Sequence, residues 1–146
     1  MAEKVKVAVL GVGALGQHHA RIYADLAKAG DVDFVGLFDV DANRAAEIAA
    51  KHSVPVLPSP EYTAEVAEAV SVVTPTVTHF ALGSELLSAG RHVLVEKPMT
   101  DNAREAAELV QLAQEQNRVL QVGHVERFNP VFDYLQSAAK EPRFIE

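Results

Sequence analysis

Apolar runs alternate with segments of helical periodicity along the whole chain. Runs rich in β-branched residues, closed by glycine, proline or a polar residue, predict buried strands. Six segments meet this description: 5–11, 33–40, 54–62, 69–75, 92–98 and 118–124. Because prolines interrupt the third of them, we expect a short edge strand there, followed by a loop.

Helical segments separate these runs, with a weak example at 63–69 and clear ones at 14–30, 41–53, 76–90, 100–117 and 129–140. In the first helix the spacing is carried by Leu15, His19, Ile22, Tyr23 and Leu26. Gly30 and Gly90 are predicted C-caps, and Asp41 a predicted N-cap. The alternation predicts an α/β fold: a doubly wound parallel sheet of the Rossmann type, with about six strands and helices on both faces.

Length and composition restrict the classes of function. The 146 residues, 49% of them hydrophobic, fit one domain, which we assign to 1–140. Apolar runs are too short for a membrane span, the N-terminus does not resemble a signal peptide, and there is no cysteine. We therefore expect a cytoplasmic protein that does not bind membranes. The net charge of −7 argues against nucleic-acid binding, although backbone N–H groups still allow a phosphate ligand.

A glycine-rich turn follows the first predicted strand and opens the first helix. It is the G-x-G-x-x-G segment Gly11-Val12-Gly13-Ala14-Leu15-Gly16. Gly11 allows a tight turn, Gly13 lets a pyrophosphate approach the backbone, and Gly16 lets helix and strand pack closely. Glycine-rich turns also close ordinary strand-to-helix junctions that bind no ligand. A prediction of dinucleotide binding therefore requires the second half of the motif as well.

That second half is an acid after the second strand, and Asp39 stands there. A carboxylate at this position accepts hydrogen bonds from the adenine-ribose hydroxyls and repels a 2′-phosphate. We predict a nicotinamide dinucleotide cofactor, NAD rather than NADP, bound by the turn and Asp39. Arg44 lies close to Asp39 in the sequence, so NADP remains an alternative cofactor. In the alternative interpretation Asp39 only caps the next helix, which Asp41 is also able to do.

Polar residues also follow the fourth, fifth and sixth predicted strands, in "VVTPTVTH" (72–79), "VLVEKP" (93–98) and "VGHVERFNP" (122–130). Since the carboxyl ends of parallel strands meet at one edge, these residues are expected to share one cleft. The candidates are Thr74, Pro75, His79, Glu96, Lys97, His124 and Arg127. We expect no metal site, because no histidine and carboxylate set has metal-ligand spacing.

The segments "GVGALGQHH", "TPTVTH", "EKPMT" and "GHVERFNP", in this order, resemble the N-terminal half of the glucose-fructose oxidoreductase / inositol 2-dehydrogenase / MocA family. The triplet Glu96-Lys97-Pro98 is the most specific of these marks. The resemblance implies an NAD(P)-dependent oxidoreductase acting on sugars, cyclitols or related polyols. "GHVERFNP" is also similar to the corresponding loop of UDP-N-acetylglucosamine 3-dehydrogenases, which implies a nucleotide-sugar substrate.

The resemblance also implies a second α/β domain that supplies most substrate contacts, including a histidine used in proton transfer. Nothing in the 146 residues corresponds to it, and 141–146 looks like its first strand. We therefore expect the chain to be the cofactor-binding half of a dehydrogenase that does not turn over alone. A non-catalytic dinucleotide-binding module, acting as a sensor or partner subunit, is the alternative. The apolar face meant for the second domain, around Phe128, Phe132, Phe144 and Ile145, is expected to be exposed and to favour a homo-oligomer.

Within this frame Lys97 is the predicted catalytic residue, in contact with both substrate and cofactor; the plain alternative is a surface lysine. Glu96 is expected to orient Lys97 or the nicotinamide amide. Thr74 and Pro75 are expected to line the cofactor, unless Pro75 only ends a strand. His79 is also placed near the cofactor, as a structural hydrogen-bonding residue rather than a base. His124 and Arg127 are predicted substrate contacts, with a structural role equally open for His124. Of the adjacent histidines, His18 is expected near the cofactor and His19 to pack.

Overall fold

The computed structural model describes residues 3–138, which form a parallel α/β sheet with helices on both faces. The sheet has five strands in the order β2-β1-β3-β4-β5. Their bounds are β1 Val5–Leu10, β2 Val32–Phe38, β3 Ala69–Val72, β4 His92–Val95 and β5 Leu120–Val122. The doubly wound fold predicted from the sequence is confirmed.

Residues 3–138 also form six helices and two 3₁₀ turns. The helices are α1 Gly16–Ala29, α2 Ala42–His52, α3 Pro60–Val66, α4 His79–Ser88, α5 Ala103–Glu115 and α6 Val131–Ala138; the 3₁₀ turns are Thr76–Thr78 and Val125–Phe128. Two apolar clusters fill the space between sheet and helices. One joins Val7 and Val9 of β1 to α1 and α2, while the other joins Ala8 and Leu10 to α3, α4 and α5. Alternate side chains of β1 therefore serve opposite faces, as a doubly covered sheet requires.

Local capping follows the predicted chemistry. The Asp41 side chain accepts hydrogen bonds from the N–H groups of Asn43 and Arg44, at 3.1 Å each, and so caps α2. Such a cap contributes about 1 kcal/mol. Gly30 ends α1 with φ of 90°, a left-handed conformation that glycine adopts at little cost. These caps fix where α1 ends and where α2 begins beside β1 and β2.

The third predicted strand, at 54–62, does not form. Only Val56 makes a bridge, to Leu37 of β2. The N–H of Leu37 donates to the carbonyl of Pro55, and the N–H of Leu57 donates to the carbonyl of Leu37. Pro55 and Pro58 have no N–H to extend a ladder, so the contact stops after one bridge. The strand predicted at 143–145 lies outside the described residues.

Helix α1 uses a smaller buried face than its apolar spacing suggested. Gly16, Ala20 and Ala24 are buried, whereas Leu15 and Ile22 are 48% and 47% exposed. Small residues let the helix backbone approach the sheet closely, which holds the preceding turn against β1. Within residues 3–138, no helix is both long and apolar enough to cross a bilayer.

Candidate functional site

The strand order reverses between β1 and β3, and a cleft opens there at the carboxyl edge of the sheet. This is the topological switch point at which open α/β sheets bind ligands. The cleft has a volume of about 750 Å³. It is lined by Leu10, Gly11, Gly13, Phe38, Asp39, Val40, Arg44, Pro60, Val73, Thr74, Pro75, Val77, Thr78, Ala81 and Leu82.

The three glycines of the turn are needed for different reasons. Gly11 has φ of 84°, and a Cβ there would lie 2.5 Å from the carbonyl oxygen of Val73. A Cβ on Gly16 would overlap the carbonyl of Gly11. Gly13 differs, since its Cβ would meet only the Arg44 Nη1 atom, 3.9 Å away. The fold therefore does not require glycine at 13, and the open space in front of it suits a close-lying pyrophosphate.

The first turn of α1 faces this space without a side-chain cap. Asp41, Ser59 and Asn102 cap α2, α3 and α5 in contrast. The side chains of Ala14 and Leu15 are exposed and carry no polar group. At the turn these two residues therefore offer an anionic ligand their backbone N–H groups. N–H groups and the helix dipole together favour an anion at such an end.

Asp39 stands at the end of β2, with its carboxylate tied to the turn. Oδ2 accepts from the N–H of Val12 at 2.8 Å, and Oδ1 accepts from the N–H of Asp41 at 2.9 Å. Asp41, not Asp39, caps α2, which removes the capping alternative. A carboxylate has about four lone-pair sites, so two remain for ribose hydroxyls. Arg44 lines the same cleft, but its Nη2 lies 3.6 Å from Asp41 Oδ2.

Thr74 and Pro75 line the opposite side of the cleft, after β3. The Thr78 hydroxyl lies 2.7 Å from both the Thr74 hydroxyl and the Pro75 carbonyl oxygen, which braces this loop. His79 is only 1% exposed and lies beneath it. Its Nε2 is 2.8 Å from the Thr74 carbonyl and its Nδ1 is 2.9 Å from the Pro98 carbonyl. His79 thus links the loop after β3 to the loop after β4, as expected of a structural histidine.

Glu96 and Lys97 follow β4 directly and point to different environments. Glu96 is 4% exposed, with Oε1 3.1 Å from His19 Nε2 and Oε2 accepting from the Lys97 N–H at 3.1 Å. Lys97 is exposed, and the bond between it and Pro98 is cis. Sequence reasoning placed His19 only in packing; no local signal pairs it with a residue 77 positions away.

His124 and Arg127 are exposed in and before the second 3₁₀ turn, after β5. Within residues 3–138 no ion pair holds the Arg127 guanidinium. The Asn129 side chain accepts from the N–H of Val131, at the start of α6.

The predicted residues thus fall into two groups. Gly11, Gly13, Asp39, Thr74 and Pro75 share the cleft. The other group lies beyond its lining: Glu96, Lys97, His124 and Arg127 after β4 and β5, and Ala14, Leu15, Gly16 and His79 at or near the starts of α1 and α4.

Comparison with known proteins agrees with this geometry. The family model described as "Oxidoreductase family, NAD-binding Rossmann fold" matches residues 5–124. The chain is 41% identical, over 143 residues, to a UDP-N-acetylglucosamine 3-dehydrogenase of Acidithiobacillus ferrooxidans, covering 97% of this chain and 44% of the relative. It is 31% identical to a scyllo-inositol 2-dehydrogenase (NAD(+)) of Bacillus subtilis, covering 90% and 39%.

Solved structures give the same picture. The crystal forms of the Acidithiobacillus enzyme include one that superposes with a TM-score of 0.85 over 94% of this chain and 44% of that one. GenD2 from gentamicin A biosynthesis, in complex with NAD, superposes with a TM-score of 0.86 at 29% identity, covering 97% of this chain and 40% of that one. The chain therefore spans less than half the length of these relatives.

Proposed function

Because the chain belongs to the glucose-fructose oxidoreductase / inositol 2-dehydrogenase / MocA family of NAD-binding oxidoreductases, we propose that it supplies the cofactor side of a dehydrogenase site. The reaction is hydride transfer between NAD and a hydroxyl-bearing carbon of a sugar, nucleotide sugar or cyclitol. The single observation that carries the proposal is Gly13, whose missing Cβ leaves open space beside the uncapped start of α1.

Each part of the cleft has a role in holding NAD. The N–H groups of the glycine turn and the first turn of α1 bind the pyrophosphate. Asp39 accepts hydrogen bonds from the ribose hydroxyls, and its charge disfavours the 2′-phosphate of NADP. Thr74 and Pro75 line the wall after β3. When bound, NAD supplies the acceptor or donor of the hydride.

Lys97 carries the chemistry on the protein side. Its side-chain amine takes the proton of the reacting hydroxyl as the hydride leaves carbon, so the hydroxyl becomes a carbonyl and Lys97 becomes an ammonium group; in the reverse direction the ammonium group returns that proton. Lys97 follows β4 and is exposed, two loops along the sheet edge from the glycine turn. Its side chain is therefore accessible to a substrate that approaches this edge of the sheet. A sensor or partner module has no need of such a lysine, so this residue favours the enzyme.

A nucleotide sugar is the substrate class that the chain favours. Arg127 is exposed beyond β5 and presents a planar fork that binds phosphate oxygens in pairs. The relative that is 41% identical is a UDP-N-acetylglucosamine 3-dehydrogenase, while a relative with 31% identity acts as a scyllo-inositol dehydrogenase. His124, exposed beside Arg127, is the second substrate contact that we propose.

The test begins with the 146-residue chain, NAD, and a panel of UDP-sugars, free sugars and cyclitols. We expect micromolar-range NAD binding by calorimetry and no sustained rise in NADH absorbance, because the chain spans less than half the length of the dehydrogenases that it resembles. The full gene product should then oxidise a member of the panel, with UDP-sugars preferred. Failure of the chain to bind NAD would contradict the proposal, and so would a full product that binds NAD yet oxidises none of these classes.

A further inference from the structure

Glu96 is a buried carboxylate whose two oxygens are both occupied by other parts of this chain. Oε1 lies 3.1 Å from His19 Nε2, and Oε2 accepts the Lys97 N–H at 3.1 Å. Only 4% of Glu96 is exposed. A carboxylate that has lost its water depends on donors of this kind, and here one donor is the backbone of the lysine that faces the substrate. Glu96 therefore joins α1 to the Lys97 backbone.

Gly123 provides the space in which this carboxylate lies. A Cβ at position 123 would lie 2.6 Å from Glu96 Cδ and 2.7 Å from Oε2. No left-handed backbone conformation explains the glycine, so the requirement is one of room. Backbone hydrogen bonds on both sides fix the frame: the N–H of Glu96 donates to the Val72 carbonyl, and that of Gly123 donates to the Val95 carbonyl. A side chain at 123 would thus displace the carboxylate rather than the strands.

His19 completes the arrangement from the opposite direction. It stands in the first turn of α1, directly after the glycine turn, and its side chain is 16% exposed. It is the described side chain that hydrogen-bonds Oε1. Without it that oxygen has no side-chain donor in the interior, so the carboxylate is driven to turn toward water and away from the Lys97 N–H.

We propose that His19 and Gly123 are positioning residues for Lys97, acting through Glu96. The inference rests on the proposed role of Lys97 in hydride transfer, and it extends that role to two residues that touch neither NAD nor substrate. Because His19 follows the pyrophosphate turn on the same helix, the arrangement also fixes Lys97 relative to the cofactor. An error of about 1 Å in such a group costs on the order of 10²-fold in rate.

The test measures Lys97 directly. Lysines of the chain are reductively methylated with ¹³C, and the Lys97 signal is assigned by its loss in Lys97→Arg. His19→Leu should change the chemical shift of the Lys97 signal by more than it changes the chemical shifts of Lys28 and Lys51. Those two lysines lie on other helix faces and serve as internal references. His19→Gln is the matched control, since its amide nitrogen can take the place of Nε2 and donate to Glu96. It should restore the wild-type signal.

Gly123→Ala gives a second route if His19→Leu does not fold, as judged by thermal unfolding. It leaves the histidine in place and displaces only the carboxylate, and we expect the same Lys97 shift. In the full gene product both variants should lower kcat roughly 10- to 100-fold and change KM about twofold at most. Equal shifts in His19→Leu and His19→Gln, or no shift in any variant, would overturn the proposal.

The two proposals fail in different ways. If Lys97→Ala leaves turnover unchanged, the proposed chemistry is wrong, although a Lys97 shift in His19→Leu still supports the positioning. If Lys97→Ala abolishes turnover while the Lys97 signal ignores His19 and Gly123, the chemistry stands and the positioning is wrong.

Discussion

The two ends of the strand edge differ in how firmly the chain holds their polar groups. After β1 and β2, both oxygens of Asp39 accept hydrogen bonds from backbone N–H groups, and Gly11 and Gly16 stand where a side chain would collide with neighbouring backbone. After β5, His124 and Arg127 are exposed and Phe128 is 79% exposed. One end has its polar groups held by hydrogen bonds within the chain, while at the other end the side chains of His124 and Arg127 are exposed to solvent.

The difference shows how the two ligands are recognised. A preorganised site spends little free energy on ordering side chains when its ligand binds, so the cofactor end is expected to bind NAD tightly by itself. When a ligand binds at the end after β5, long side chains such as Arg127 must become ordered. Each side chain immobilised costs about 0.5–1.5 kcal/mol of binding free energy. Glu96 and Lys97 lie between these ends, with one residue buried and its neighbour exposed.

The largest expected effect tests the preorganised end. Gly13→Val should weaken NAD binding by at least about 100-fold, a loss of about 2.8 kcal/mol of binding free energy. The reason is that the new side chain fills the space meant for the pyrophosphate. The melting temperature should stay near wild type, since the Cβ meets only Arg44 Nη1 at 3.9 Å. Calorimetry and thermal unfolding measure the two quantities.

Gly16→Val is the matched control for that variant. Its side chain would collide with the Gly11 carbonyl, so the melting temperature should fall together with NAD affinity. If Gly13→Val instead unfolds the chain, or binds NAD as wild type does, the assignment of the phosphate site is wrong.

Lys97→Ala tests the boundary between the two ends. In the full gene product kcat should fall on the order of 10²-fold or more, as expected for a positioned acid–base group, while NAD affinity changes little. Steady-state kinetics beside calorimetry separate the two effects. Equal losses in kcat and NAD affinity would make Lys97 a binding residue only.

The sequence predicted the preorganised end better than the rest of the molecule. The turn from Gly11 to Gly16 and Asp39 form a pattern of fixed spacing, because one local strand-helix-strand unit, from β1 through α1 to the end of β2, carries all of them. Capping by Asp41 and Gly30 was predicted for the same reason: each acts on its own neighbours in the chain.

Contacts between distant segments escaped prediction. The link from His19 to Glu96 spans 77 positions, and the burial of Glu96 beneath Gly123 depends on the alignment of β4 with β5. The strand predicted at 54–62 failed for a related reason. An apolar run shows that a segment prefers the interior, but Pro55 and Pro58 determine whether it finds a partner along its length.

Cofactor choice is expected to give a smaller effect at the preorganised end. Wild type should bind NAD about tenfold or more tighter than NADP, equivalent to about 1.4 kcal/mol, because the Asp39 carboxylate repels the 2′-phosphate. Asp39→Ser should narrow this ratio by improving NADP affinity, with Arg44 close by to pair with the phosphate. Asp39→Glu keeps the charge and both acceptor oxygens, so it serves as the control and should not improve NADP affinity. Tighter binding of NADP by wild type would contradict the assignment.

The smallest expected effect concerns the loosely organised end. Exposed apolar side chains are concentrated in the turn after β5 and in α6, among them Val125, Phe128, Val131, Phe132 and Tyr134. A patch of this kind favours association, so the 146-residue chain should form weak oligomers at high concentration. The double variant Phe128→Ser and Phe132→Ser should raise the dissociation constant a few-fold, equivalent to roughly 1 kcal/mol, because it removes two aromatic contacts from the patch.

Ile22→Ser, on the exposed side of α1, is the control and should leave association unchanged. Sedimentation velocity over a concentration series makes the measurement. NAD binding should be the same in all three proteins, since none of these side chains lines the cleft. If the double variant associates as wild type does, the apolar surface after β5 is not what brings the chains together. A loss of NAD affinity in the same variant would show instead that the two ends of the strand edge are coupled.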